Sequence, residues 1–233
     1  MCGRYGHVAS ETEVMGRLRL RLTGGSARSG TQPAAGARYN QPPGEFSPVA
    51  IATLEDRATF ELSGLFWGFV PSWANKPSLA QINARAETAH IKPFWRKAFH
   101  SRRCVVVANW WYEWRAHNGH KQPYAIRPAN GAPFFLAGLW SLAKNLPESH
   151  KAAGQRTFAI ITTQAAPSLA AIHHRMPIAL TDEGARAWLR RGEDSGELRQ
   201  RLVDGRHGEY KSWPVSSAVN SPKNDDPRLL DAV

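Results

Sequence analysis

Cys2 stands directly behind the initiator methionine. Methionine is trimmed when a small residue follows it, and Cys is small enough. Trimming leaves a thiol and a free α-amine on one Cα, with reference pKa values of ~8.5 and ~7.7–8.0. Both groups are then partly nucleophilic near neutral pH. Two nucleophiles two carbons apart can close a five-membered ring on an aldehyde. Position alone leaves the alternative of a small residue at a frayed terminus.

Four polar stretches offer partners for such a nucleophile. In NARAET (83–88), an extended backbone sets Asn83, Arg85 and Glu87 on one face, because side chains alternate with a period of two. An amide, a guanidinium and a carboxylate together suit a phosphate and an attacking group; the other reading is a salt-bridged surface strand. In NWWYEW (109–114), Glu113 sits among aromatic residues. Pointing inward, it is desolvated and its carboxyl pKa rises toward neutrality, which suits proton transfer. Pointing outward, it is an ordinary solvated Glu. IHHRMP (172–177) follows a strand and a short turn, where a rigid scaffold can place functional side chains. A His there exchanges protons at working pH and an Arg grips phosphate bidentately; a structural His beside a turn is the alternative. LFWGFVPSW (65–73) sets Trp67 and Trp73 around a Gly/Pro bend. Rings on a basic surface stack unpaired bases at ~1–3 kcal/mol per base, although core packing accounts for most tryptophans.

The elements that must position these residues are mainly strands. GRYGHV (3–8) reads as a short first strand. ETEVMGRLRLRL (11–22) places Val14, Leu18 and Leu22 on one helical face. Residues 23–38, rich in Gly, Ser and Ala, read as a mobile loop. VAIATL and ATFELSGLFWGF, joined at EDR, read as a hairpin. KPFWRKAF (92–99) reads as a short helix begun near Pro. RRCVVVANWWYEW, HNGHK and QPYAIRP form the strongest hairpin pattern. FFLAGLW and RTFAIITT continue the strand series. TDEGARAWLRR (181–191) has a Thr N-cap and an acidic first turn, hence a helix. YKSWPVSSAVN is a late strand or extended run. No β-α-β rhythm or internal repeat appears. The expected fold is a single α+β domain over 1–233, mostly antiparallel sheet in a barrel-like arrangement with a few short helices.

Composition narrows the function classes. The chain has 233 residues, 42% of them hydrophobic, and nine Trp, enough for a real core. Thirty Lys and Arg against 19 Asp and Glu give a net charge of +11, which favours polyanionic partners. No secretory signal, lipidation motif or membrane-length apolar run is found, so a cytoplasmic protein is expected, nucleoid-associated if bacterial. Two cysteines make no disulfide framework. His117 and His120 read as a solvated hairpin tip, and His173 and His174 diverge in a strand or a helix alike. No metal, no cofactor and no membrane association are expected.

Taken in order, the motifs carry more than any one of them does. MCGRY, YNQPP, WGFVPSW, INARAET, FWRKAF, RRC, WYEW, KQPY, AGLW, IITT, IHHRMP and VSSAVN run nearly end to end. This ordered set resembles the SRAP family, the SOS response-associated peptidase proteins that process abasic sites. The resemblance implies Cys2 as the catalytic residue after Met1 removal, with Asn83, Glu113 and His173 completing the site. It implies Arg4, Arg85 and Arg175 as DNA-backbone contacts, and Trp67, Pro42 and Thr162 as parts of a DNA-facing surface. One departure concerns VANWWYEW, where Val107, Asn109 and Trp110 replace the Pro, Asp and Gly usual in the family. Trp110 in place of Gly puts the turn leading to Glu113 in question.

The chemistry implied by the resemblance is covalent capture of the ring-opened aldehyde of an abasic site in single-stranded DNA. The Cys2 amine and thiol together form a thiazolidine crosslink that shields the lesion, acting as a monomer. Lyase activity and self-removal of Met1 are implied side activities. Two rivals stand beside it. One is a cysteine amidohydrolase or peptidase using an N-terminal nucleophile. The other is a non-catalytic module that binds single-stranded DNA.

Overall fold

The computed structural model describes residues 2–19, 36–52, 60–117, 119–190 and 194–233. The β-branched and aromatic runs form strands, and what matters for function is how one of those strands is shared. In chain order the first elements are β1 (Tyr5–His7), α1 (Glu11–Leu18), β2 (Arg38–Gln41), β3 (Phe46–Ala52) and β4 (Phe60–Trp67). They are followed by β5 (Asn83–Arg85), α2 (Ala86–Ala89), α3 (Pro93–Ser101), β6 (Arg103–Ala108), β7 (Trp110–His117) and β8 (His120–Pro128). The chain continues through β9 (Phe134–Leu142), β10 (Arg156–Gln164), β11 (Arg175–Pro177) and β12 (Ala179–Leu180). It ends with α4 (Asp182–Leu189), α5 (Ser195–Asp204) and β13 (Tyr210–Pro214).

Strands β10, β4, β3, β6 and β9 pair in that order, and β9 returns to β10, closing a ring. Closure removes the exposed edges that an open sheet would carry. The second sheet runs β13-β8-β7-β1-β2. The chain is therefore an α+β fold of mostly antiparallel, ring-like sheet with short helices, as its strand-rich pattern predicts. The exceptions are parallel: β10 pairs in parallel with β4 and with β5.

Strand β6 shows how both faces of the ring are filled. Val105 and Val107 join a core with Phe99, Trp188 and Leu198 beneath the helices. Cys104, Val106 and Ala108, on the opposite face, join a core with Tyr5, Trp67 and Trp111. This is the period-two alternation of a strand buried on both sides. Cys2 belongs to the second core and is fully buried.

Strand β10 delivers the functional edge. Its register sets Ile160 beside Asn83 and Thr162 beside Arg85 in β5. On its other side Gln164 faces Arg175 in β11. Two motifs about ninety residues apart thus meet across one strand.

Several sequence expectations need correction. The run from RRC to WYEW is two strands, not one. It breaks at Asn109, with β6 in the ring and β7 in the second sheet. Strand β5 ends at Arg85 and the chain turns into α2, so Glu87 leaves the face that strand alternation would give it. Helix α1 ends at Leu18, where Arg19 adopts a left-handed conformation (φ 54°) and caps it; Val14 and Leu18 are buried as the pattern predicts. Leu22, most of the 23–38 loop and the EDR connection lie outside the described residues. Helix α5 carries no strong sequence signal, because SGELRQRLVD offers only Leu198 and Leu202 to the core.

Candidate active site

Cys2 opens the short lead into β1, which is held between β7 and β2. The Arg4 backbone carbonyl accepts from the Tyr112 N–H at 2.9 Å. Gly6 lies opposite Trp110, where a Cβ would overlap the indole ring. The turn before β7 is tied to the same strand from both sides. Asn109 N–H donates to the Gly6 carbonyl at 2.8 Å, and the Asn109 side-chain oxygen accepts from the Val8 N–H at 2.9 Å. Trp110 packs against Tyr39 with ring centroids 5.6 Å apart. The bulky residue at position 110 is thus accommodated by the absence of a side chain at Gly6, and Glu113, three residues on, points inward and is 3% exposed.

Two side chains, those of Asn83 and Glu113, act on Cys2. Asn83 donates its side-chain amide to the Cys2 carbonyl at 2.9 Å. The Glu113 carboxylate lies close enough to raise the Cys2 thiol pKa. Burial is the larger cause of that rise, and the Arg4 backbone N–H opposes it. The same desolvation pushes the Glu113 carboxyl up to about 7. Glu113 also lines a narrow crevice with Trp111, Ile172, His173, Arg175 and Met176, which brings Glu113 and His173 to one opening.

His173 precedes β11 in irregular backbone. There the Arg175 N–H donates to His173 Nδ1 at 2.9 Å, with the Arg175 carbonyl 3.0 Å from the same nitrogen. Partial burial, the largest cause, lowers its pKa below the usual imidazole value. The two histidines do not diverge as strand or helix geometry requires. Their rings stack with centroids 4.4 Å apart, because the chain at this point is neither. No group of three or more potential metal ligands occurs among the described residues, nor does any helix there have the length and apolarity to cross a membrane.

The predicted DNA contacts fall into distinct environments. Arg85 is exposed and has no side-chain partner among the described residues. Arg175 is held: it donates bidentately to Glu87 at 2.7 and 2.9 Å and to the Thr162 carbonyl at 2.7 Å. Burial pushes the Glu87 carboxyl upward, but the Arg175 bonds outweigh it and the net shift is downward. Arg4 donates to the Asn40 side chain at 2.8 Å and the Val219 carbonyl at 3.0 Å. Thr162 is buried, and Pro42 is half-buried. Trp67 is fully buried and stacks on Phe158, so its ring offers no face at the surface. Its neighbour across the bend, Trp73, is 62% exposed. The bend itself needs Gly68, whose φ of 150° is one that side chains disfavour.

Asn40 is a residue whose role the sequence did not signal. Its amide donates to the carbonyls of Val219, Ser221 and Asn224 at 3.2, 3.0 and 2.8 Å. That single side chain fastens the C-terminal segment beside Arg4. YNQPP and VSSAVN are distant motifs, and only the fold shows that one holds the other.

The family model described as SOS response associated peptidase (SRAP) matches residues 1–222. The chain belongs to the SRAP family. YoqW of Bacillus subtilis (strain 168), an abasic site processing protein by name, is 36% identical over 203 residues, covering 82% of this chain and 89% of that one. YedK of Escherichia coli (strain K12), which bears the same description, is 31% identical over 235 residues and covers both chains completely. A crystal structure of a protein from Bacteroides thetaiotaomicron superposes with a TM-score of 0.76 over all of both chains at 22% identity, which shows the shared fold. Cys2, Asn83 and Glu113 thus meet within an SRAP chain, with His173 on the crevice that Glu113 lines.

Proposed function

We propose that this SRAP protein processes abasic sites by capturing the ring-opened aldehyde in single-stranded DNA as a thiazolidine at Cys2. The observation that carries the reading lies at the N-terminus: Asn83 holds the Cys2 carbonyl, and the buried Glu113 carboxylate is near enough to act on the Cys2 thiol electrostatically. The names of the relatives YoqW and YedK point the same way.

Removal of Met1 frees the α-amine. Burial and the Glu113 charge favour the protonated thiol, which supports the amine as first nucleophile. The amine adds to C1′ and water leaves, giving a Schiff base. The thiol S–H then adds across the C=N bond: sulfur joins C1′ and the proton ends on nitrogen. Glu113, with its carboxyl near 7, takes a proton from the amine and returns one to the departing water. His173 supplies a proton to the sugar oxygen as the ring opens. Asn83 fixes the terminal residue, and Arg85 with Arg175 grips flanking phosphates, so attack becomes nearly intramolecular. Exposed Trp73 stacks an unpaired base. The amidohydrolase reading needs a thiolate, which the raised thiol pKa disfavours.

A Schiff base at C1′ also acidifies the C2′ protons, so β-elimination competes until sulfur closes the ring. The Cys2→Ala protein keeps an α-amine and loses the trap. On a denaturing gel it yields nicked DNA and no heat-stable adduct, while the parent yields adduct. A heat-stable adduct from Cys2→Ala sinks the assignment.

A further inference from the structure

Beside the candidate active site lies a second, open cleft of about 370 Å³, within the size range of small-ligand sites. Ile178 and Leu202, both almost fully buried, form its floor. Val203 stands at its rim, 51% exposed. Glu87 also lines it, and its carboxylate is already committed to Arg175. The remaining charges at the cleft are Arg199 and Arg206, both exposed and without a side-chain partner among the described residues. Of the neighbouring acids on α5, Glu197 pairs with Arg201, and Asp204 accepts from Gln200, itself part of the cleft lining.

We propose that this cleft seats a base of the captured strand a short way from the abasic nucleotide, with Arg199 and Arg206 on its phosphates. Three features select that occupant. The floor is apolar, as the face of a base requires. The rim carries Arg199 and Arg206, neither of them in an ion pair among the described residues, as a phosphodiester requires. The cleft also adjoins the candidate site, because Glu87 of its lining is bonded to Arg175 of the crevice, so a strand bound at the crevice passes directly onto it. The inference rests on the proposed single-stranded DNA substrate. It adds a site of recognition away from the lesion, carried by the helix that the sequence left unsignalled. The Glu87–Arg175 pair becomes a partition between two sites on one strand.

The test uses the protein lacking Met1 and a single-stranded oligonucleotide bearing a tetrahydrofuran analogue, which has no aldehyde and reports binding alone. Baseless spacers are placed at each flanking position in turn, and affinity is read by fluorescence anisotropy. One position is expected where losing the base weakens binding about ten-fold. That sensitivity disappears in Val203→Asp, an exposed position where folding is undisturbed. Arg199→Ala with Arg206→Ala lowers the salt slope by about 1.4, since each phosphate contact on a single strand contributes about 0.7. A scan with no sensitive position, or one unchanged by these variants, overturns the cleft. So does displacement of a fluorescent mononucleotide by free nucleotide but not by the strand. Adduct formation on a true abasic oligonucleotide is measured in parallel on the parent protein. An adduct without a sensitive position removes the cleft alone; a sensitive position without an adduct removes the covalent reading alone.

Discussion

Glu113 is held in a place that favours its neutral form. Its carboxyl is raised from 4.5 to about 7 by burial, so the folded chain binds more protons than the unfolded one between those values. Stability contributed by this group is therefore greatest below pH 4.5 and falls as pH rises to 7. Glu113→Gln removes the titration. We expect the variant to gain stability over the parent by about 3 kcal/mol at pH 8, from 1.36 kcal/mol per pKa unit, and little at pH 4.5. Denaturant midpoints at the two pH values check this. The same variant loses adduct formation by about a hundred-fold or more, the usual worth of general acid–base catalysis. Both outcomes together would fit the common trade between stability and function. Glu113 was legible in the sequence as a carboxylate among aromatics, but its direction was not. Strand alternation gives a face only once the register is known, and the break at Asn109 sets the register of β7.

The elements show why some motifs could be read locally and others could not. The β7–β8 hairpin, the Thr181-capped helix α4 and the Pro-started helix α3 follow from propensity, caps and turn residues. The pairing of β5 and β11 across β10 does not, because it depends on a non-local register that no short stretch encodes. Trp67 illustrates the same limit: its ring lies inward on Phe158, and Trp73 beyond the Gly68 bend is the exposed one. The Gly6–Trp110 contact is the element-level device most open to test. Gly6→Ala forces β1 away from β7, costing about 1–3 kcal/mol by overpacking. Because β1 leads from Cys2, adduct formation should slow even at temperatures where the variant stays folded. Unchanged rates in a destabilised variant would show that β1 does not set the position of Cys2.

At the scale of the whole molecule, the proposed function predicts that the +11 charge acts on encounter with DNA rather than on chemistry. Affinity for single-stranded abasic DNA should fall linearly with the logarithm of salt concentration, with a slope of about −0.7 per phosphate contacted. The single-turnover rate at saturating DNA should change little over the same range. If the rate itself falls with the same slope, the arginines act in the chemical step. The α+β class and the ring of mostly antiparallel strands were legible from strand-rich patterning without a β-α-β rhythm. The parallel entries of β4 and β5 beside β10 were not, since parallel pairing leaves no turn signal between its partners.

The central claim is that Cys2 joins one aldehyde carbon through both its nitrogen and its sulfur, and an intact mass spectrum tests it most directly. Protein shown to begin at Cys2 is mixed with a single-stranded oligonucleotide carrying one abasic site. Amine and thiol addition to one aldehyde expels one water, so the account predicts a species equal to protein plus oligonucleotide minus one water. That species survives denaturation and borohydride, which reduces a Schiff base but leaves a thiazolidine unchanged. Protein with the same N-terminus that shows no such mass, or a mass trapped only by borohydride, contradicts it.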